Sequence, residues 1–160
     1  MMKLVAPNDQ ILTKKCEEFD FTNPPFDPAE FAYEFVKFMY DQNGLGLSAN
    51  QVGIPYRVFA MRGHPQNFVC FNPRIVYYSD KTKIMEESCL SFPGLAIKIK
   101  RPRHVRVRFQ SPTGETVTQQ FIGMTARVFQ HELDHLNGVL FYSRANRYHR
   151  EQAFKKCGII

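Results

Sequence analysis

His131 and His135 stand four residues apart, with Glu132 between them, in the run Gln130-His131-Glu132-Leu133-Asp134-His135. Few features constrain a fold more. On a helix the two imidazoles lie on one side, a single turn apart, whereas on a strand the same four-residue spacing would separate them by about 13 Å. On a helix both reach one metal ion, and the intervening carboxylate reaches a water molecule beside that ion. This is the H-E-x-x-H spacing of metal hydrolases. Such a site takes three protein ligands and leaves one position for water. The helix supplies two, so the rest of the chain must supply the third.

Downstream of His135 the only histidine is His149 and the only acid is Glu151. The familiar third-ligand patterns on that side are therefore poorly supplied. Upstream, Cys89 lies in an extended segment, Lys83 to Ser91, flanked by acids and followed by a bend expected at Phe92-Pro93-Gly94. Its thiolate is a strong ligand for Zn²⁺ and Fe²⁺.

The remaining pattern predicts mixed α and β structure. A short helical turn is expected within residues 8–17. Asp27 caps a helix with Pro28 at its first position and Glu30 in its first turn, and Phe31, Phe35, Phe38 and Met39 form its apolar face to about Gln42. Asn43-Gly44 closes it. Gly44-Leu45-Gly46-Leu47-Ser48-Ala49-Asn50-Gln51 follows, small enough for close backbone approach and ended by a polar side chain, a candidate cleft wall. It is not a dinucleotide fingerprint, because the third glycine and the preceding strand are missing. Strands are expected at 56–61, 68–71, 75–78, 95–100, 104–110 and 116–122, the last two joined by Ser111-Pro112-Thr113-Gly114. Thr125 is the expected cap of the histidine helix, which runs to Leu136 and ends at Asn137-Gly138. A short strand is expected at 139–142, and 144–160 carries basic residues without a pattern.

One domain is the expectation for 160 residues. No apolar run spans a membrane and the N-terminus carries no secretory pattern, so the expected compartment is the cytosol. Cys16, Cys70 and Cys157 then read as ordinary thiols, and His64, His104 and His149 as surface or turn residues. The formal charge is +6. Much of the excess alternates with apolar residues between Lys98 and Arg108, as on a solvated strand face, and no interleaved aromatics mark a specific nucleic-acid site.

Three segments together resemble the motifs of the peptide deformylase family: Gly44 to Gln51, Glu87-Ser88-Cys89-Leu90-Ser91, and Gln130 to His135. They fall in the family's order and spacing, and the resemblance extends from Leu4 to about Tyr142. It implies an α+β fold with antiparallel sheets around a central metal-binding helix. The implied activity is removal of the formyl group from the N-terminal formyl-methionine of nascent peptides. The implied ligands of one divalent ion are Cys89, His131 and His135. Fe²⁺ is implied in the cell, and Zn²⁺, Ni²⁺ and Co²⁺ suit the same donors. Glu132 becomes the proton shuttle, and Gln51 with the Leu90 N–H the oxyanion donors. Backbone groups of Leu45, Gly46 and Ser88 hold the peptide as an added strand. Met85 and Val128 form the methionine pocket, with Arg127 near its rim. Glu87 and Asp134 are expected as supporting partners, with Arg101 the mate of Glu87, while Gln130 has no assigned role.

The chain departs from the family at Ser48, commonly alanine, at Ser88, commonly glycine, and near Ala96, commonly an arginine that touches the substrate. The C-terminal extension, helical in many bacterial members, is nearly missing, which resembles the short bacteriophage-encoded forms. The chain is expected to be monomeric, in the cytoplasm (the host's, if phage-encoded) and transiently near the ribosome. Two other readings remain: a zinc endopeptidase with a different third ligand, or a non-catalytic, metal-stapled module binding nascent chains or ribosomal RNA.

Overall fold

A helix held between two antiparallel sheets organises the computed structural model, which describes residues 1–158. Strands β1 (Gly46–Ser48), β2 (Val58–Met61), β3 (Phe68–Tyr78), β6 (His104–Gln110) and β7 (Thr116–Ile122) form one sheet, in the order β1-β2-β3-β6-β7. Strands β4 (Thr82–Cys89) and β5 (Phe92–Pro102) form a separate hairpin. Helix α1 spans Pro28–Asp41 and helix α2 spans Gly123–Leu136. The α+β architecture expected from the sequence is the one observed.

Helix α1 forms where expected. The Asp27 carboxylate accepts from Ala29 N and Glu30 N, satisfying two donors that a helix start leaves open. Phe31, Phe35 and Met39 pack with Leu47, Val58, Ala60 and Phe71. The other side of β2, Phe59 and Met61, packs with Ala126, Phe129, Leu133 and Leu136 of α2. Both faces of β2 are thus covered, which is why all four of its residues are apolar and buried.

Several local expectations change. The two strands predicted at 68–71 and 75–78 are one, β3, with an irregularity between Phe71 and Arg74. Asn72 takes a left-handed conformation there, and its side chain bonds both backbone groups of Phe19 and the Gln110 side chain. A proline is tolerated at such a break in the ladder. The hairpin turn after Cys89 is Leu90-Ser91 rather than Phe92-Pro93-Gly94. Ser88 pairs with Ala96 but Cys89 with Phe92, and Gly94, at φ 84°, sits in the extra residues of β5. Helix α2 starts directly after β7 with Ile122 at its cap position, so Thr125 lies inside the helix and caps nothing.

The C-terminal segment differs most. Phe141–Arg144 is a 3₁₀ turn, not a strand, and Arg147–Cys157 is a third helix, α3. Asn146 caps it by accepting from His149 N. Only Ala153 of this helix is buried, against Leu95, Ile97 and Phe141, so its apolar face is too narrow to produce a periodic signal. Ile159 and Ile160, the end of the stretch read as patternless, lie outside the described residues.

Burial governs the spare thiols. It pushes Cys16 up to about 11, against the pull of Arg57, and Cys70 well above its ordinary value. Since the thiolate is the reactive form, Cys16 and Cys70 are expected to resist alkylation at pH 8 in the folded protein, read by mass spectrometry after digestion. Rapid labelling of either would show that this core opens. Phe129 is fully buried between α2 and the sheet. Phe129→Ala is expected to cost about 3–5 kcal/mol in denaturant unfolding, against less than about 0.5 kcal/mol for a change at the exposed Tyr33.

Candidate metal centre

Helix α2 presents one face to each sheet. Its apolar residues meet the large sheet, and Arg127, His131 and Asp134 face the β4–β5 hairpin. Cys89 closes β4 immediately before the turn, so its thiol points at the same helix. Ligand atoms of Cys89, His131 and His135 all lie within 4.8 Å of one another, and all three residues are buried. Cys89 Sγ is 3.1 Å from His135 Nε2. One thiolate and two imidazoles at this separation fit a single divalent ion with room for one more ligand. His64, His104 and His149 take no part in this cluster.

The buried Glu87 carboxylate fixes the centre's orientation. It accepts from Arg101 Nε at 2.6 Å, from Arg127 at 2.8 Å and from His131 Nδ1 at 2.9 Å. Because the carboxylate only accepts, Nδ1 of His131 carries the proton and its Nε2 is left for the centre. Arg101 also reaches Asp134 at 2.8 Å, and Asp134 takes both arms of Arg144. The expected Glu87–Arg101 pair is present, and Asp134 serves the arginines. Gln130 donates to the Pro102 carbonyl, tying α2 to the end of β5.

This charge pattern separates the titrating groups. Burial raises Glu87, but hydrogen bonds from His131 and Arg101 outweigh it and hold the acid at about 2. Burial lowers His131, but bonds to Cys89 and Glu87 with nearby negative charge push it to about 10. Burial first, and then the charge on His131, push His135 well below the ordinary imidazole value. Burial lifts Glu132 to about 7. A metal ion and a proton compete for the same imidazole nitrogen, so an ion at the centre displaces any proton from the ligand side of His131.

Glu132 Oε1 and His135 Nδ1 are the buried side-chain polar atoms without a hydrogen-bond partner among the described residues. An unpaired buried carboxylate oxygen carries a desolvation cost, and this one sits beside the ligand cluster. The opposite wall presses close to it. A methyl group on Gly46 would meet Glu132 Oε2 at 2.7 Å and Val128 Cγ1 at 2.8 Å, so any side chain here would displace the Glu132 carboxylate.

That wall is locked from within. Gln51 Oε1 accepts from Ser48 N at 2.9 Å, which directs Nε2 toward Ser91 Oγ at 2.9 Å and Cys89 Sγ at 3.6 Å. Asn50 donates to the His135 carbonyl at 2.7 Å, joining the wall to the end of α2. Arg62 lies over the Tyr40 ring at 4.0 Å and donates from Nε to the Gly44 carbonyl. Its backbone N–H donates to the Leu45 carbonyl. By antiparallel alternation, the backbone groups of the next residue, Gly46, face the free edge of β1.

Between this edge and β4 opens a cleft of about 390 Å³, lined among others by Leu45, Gly46, Gln51, Ser88, Leu90 and Val128. Cys89, His131 and Glu132 also line it, while His135 lies deeper. Of the predicted pocket residues, Met85 does not line the cleft, and Met124 does. Arg127 also lines the cleft. It is buried, and its guanidinium holds Glu87 and the carbonyls of Ile99 and Lys83. Sequence reasoning gave no role to Ser91, Asn50, Arg62 or Arg144. Ser91 and Asn50 stood inside the quoted motifs, whereas no local pattern marks Arg62 or Arg144.

Residues 1–151 match the family model described as polypeptide deformylase. A peptide deformylase of Thermotoga neapolitana is 47% identical over 109 residues, covering 68% of this chain and 66% of that protein. One from Wolbachia pipientis wMel is 34% identical over 166 residues, covering 96% and 91%. Among solved structures, a peptide deformylase from Synechococcus elongatus in complex with actinonin superposes with a TM-score of 0.89 at 30% identity, covering 98% of this chain and 86% of that one. These likenesses support the first of the three readings drawn from the sequence and neither of the others.

If Glu87 orients His131, removing its charge loosens the centre while leaving the cleft's shape. Glu87→Gln is expected to lower metal affinity by about 10- to 100-fold, measured as metal retained during dialysis against a graded chelator. Retention equal to the parent protein's would remove Glu87 from the centre's support.

Proposed function

The chain belongs to the polypeptide deformylase family, metal-dependent hydrolases that remove the formyl group from the N-terminal formyl-methionine of nascent polypeptides, and we propose that it does so at the Cys89, His131 and His135 centre. The observation that carries this reading is Glu132: a buried carboxylate with an unpartnered oxygen, lining one cleft with Cys89 and His131.

Cys89, His131 and His135 are the proposed ligands of one divalent ion, which supplies Lewis acidity toward water and the formyl oxygen. The thiolate suits a soft or borderline ion such as Zn²⁺, Fe²⁺, Ni²⁺ or Co²⁺, and the family resemblance favours Fe²⁺ in the cell. Glu132 takes a proton from the attacking water at its free carboxylate oxygen and returns it to the departing amine. Gln51 Nε2, oriented by Ser48, and the Leu90 N–H donate to the oxygen on which negative charge develops. The peptide lies extended between β1 and β4, bonding to the backbone of Gly46, with Leu45 and Ser88 beside it. Val128 and Met124 line the space for the methionine side chain. The working form is read as a monomer in the cytoplasm near translating ribosomes. No helix among the described residues is long and apolar enough to cross a membrane.

The reading is tested on a formyl-Met tripeptide with Fe²⁺- and Zn²⁺-loaded protein, following formate. Glu132→Gln is expected to lose about 10²-fold or more of the rate while keeping its metal. Gln51→Leu is expected to lose about 10²- to 10³-fold. No formate from the parent protein with either metal would overturn the assignment.

A further inference from the structure

A second groove, of about 840 Å³, runs between β5 and α3, and nothing in the reaction so far uses it. It is not separate from the cleft: Glu86 and Gly94 line both. Ser88 of the cleft pairs directly with Ala96 of the groove, and Glu86 pairs with Lys98. Side chains paired in this way share a face of the hairpin and lie about 5 Å apart. A chain leaving the cleft over β4 therefore meets the groove within one residue's reach. At the crossing stand Ser88 and Ala96, both too small to block it.

We propose that this groove receives the nascent polypeptide beyond its first three residues and favours acidic segments there, an inference that rests on the deformylase reading above. The chemistry is in the lining. Helix α3 docks through Ala153, with Phe154 and Cys157 partly buried, and turns Tyr148, Gln152, Lys155 and Lys156 outward as one helical stripe. With Lys98, the stripe sets three lysines against the single carboxylate of Glu86. Tyr148, 66% exposed, adds an aromatic face on which an extended chain can lie. The 11 residues of α3 span roughly 16 Å, the length of about five extended residues. The occupied positions are then roughly the fourth to the eighth of the substrate. One exposed aromatic gives no stacking ladder for single-stranded RNA, and continuity with the cleft favours the peptide.

The test compares kcat/KM for a formyl-Met tripeptide with that for formyl-Met octapeptides carrying three glutamates or three lysines at positions four to six. Lys155→Glu/Lys156→Glu, both exposed positions on α3, should leave the tripeptide unchanged. The expected result is an advantage of about three- to tenfold for the acidic octapeptide over the basic one at low salt. This advantage should shrink in 0.5 M NaCl (about a 4 Å screening length) and disappear or invert in the double variant. Equal values for the two octapeptides, or a preference that survives in the double variant, would overturn the proposal. It would also fall if an RNA oligomer bound the parent and not the variant while the octapeptides stayed equal. Failure of the parent protein on the tripeptide would instead remove the deformylase reading itself.

Discussion

The Glu87 carboxylate is the charge on which the rest of the centre depends. It comes from β4, and its partners come from β5 (Arg101) and α2 (Arg127 and His131). A lone buried carboxylate would be too costly to keep ionised. Three cationic or hydrogen-bonding partners reverse that cost and hold it charged. The same bonds fix how far the hairpin stands from the helix, and so where Cys89 lies relative to His131. Buried ion networks add little net stability compared with apolar packing, but breaking one member leaves an uncompensated charge. Here the network specifies geometry: Arg101 extends it to Asp134 and, through Asp134, to Arg144.

The cleft exists because the two sheets do not join. Strand β1 ends one sheet and β4 ends the hairpin, leaving two unpaired edges facing each other across the centre. Exposed edges normally invite unwanted pairing, and on the proposed reading these are where a peptide adds as a strand. Gly46 sets the depth of this space, since its missing side chain is where the Glu132 carboxylate lies. Arg62 and Tyr40 brace the same wall from behind.

Legibility in the sequence followed the range of each interaction. Helix α1 was readable because its cap, its proline and its apolar stripe are local, and the H-E-x-x-H spacing could be satisfied only by a helix. Strands β6 and β7 were readable from alternation and a turn signal. Helix α3 was not, because it buries little and its stability comes from β5 and Phe141. The true start of α2 was missed because Thr125 looks like a cap, yet the chain enters the helix straight from β7. The inward bond of the Arg127 guanidinium was not readable, because its partner, Glu87, lies 40 residues away.

By itself the sequence determined which residues meet at the centre, because donor identity and short-range spacing are written in the chain: two histidines one helical turn apart, a glutamate between them, a cysteine before a bend. Only the tertiary structure decided what holds those groups in place. The Glu87 network, the Ser48–Gln51–Ser91 chain and the bracing of Gly44 by Arg62 join residues from different strands and helices, and no local pattern records such a pairing. Their geometry follows from which sheet edges are left free and which charges must be neutralised once burial has removed water.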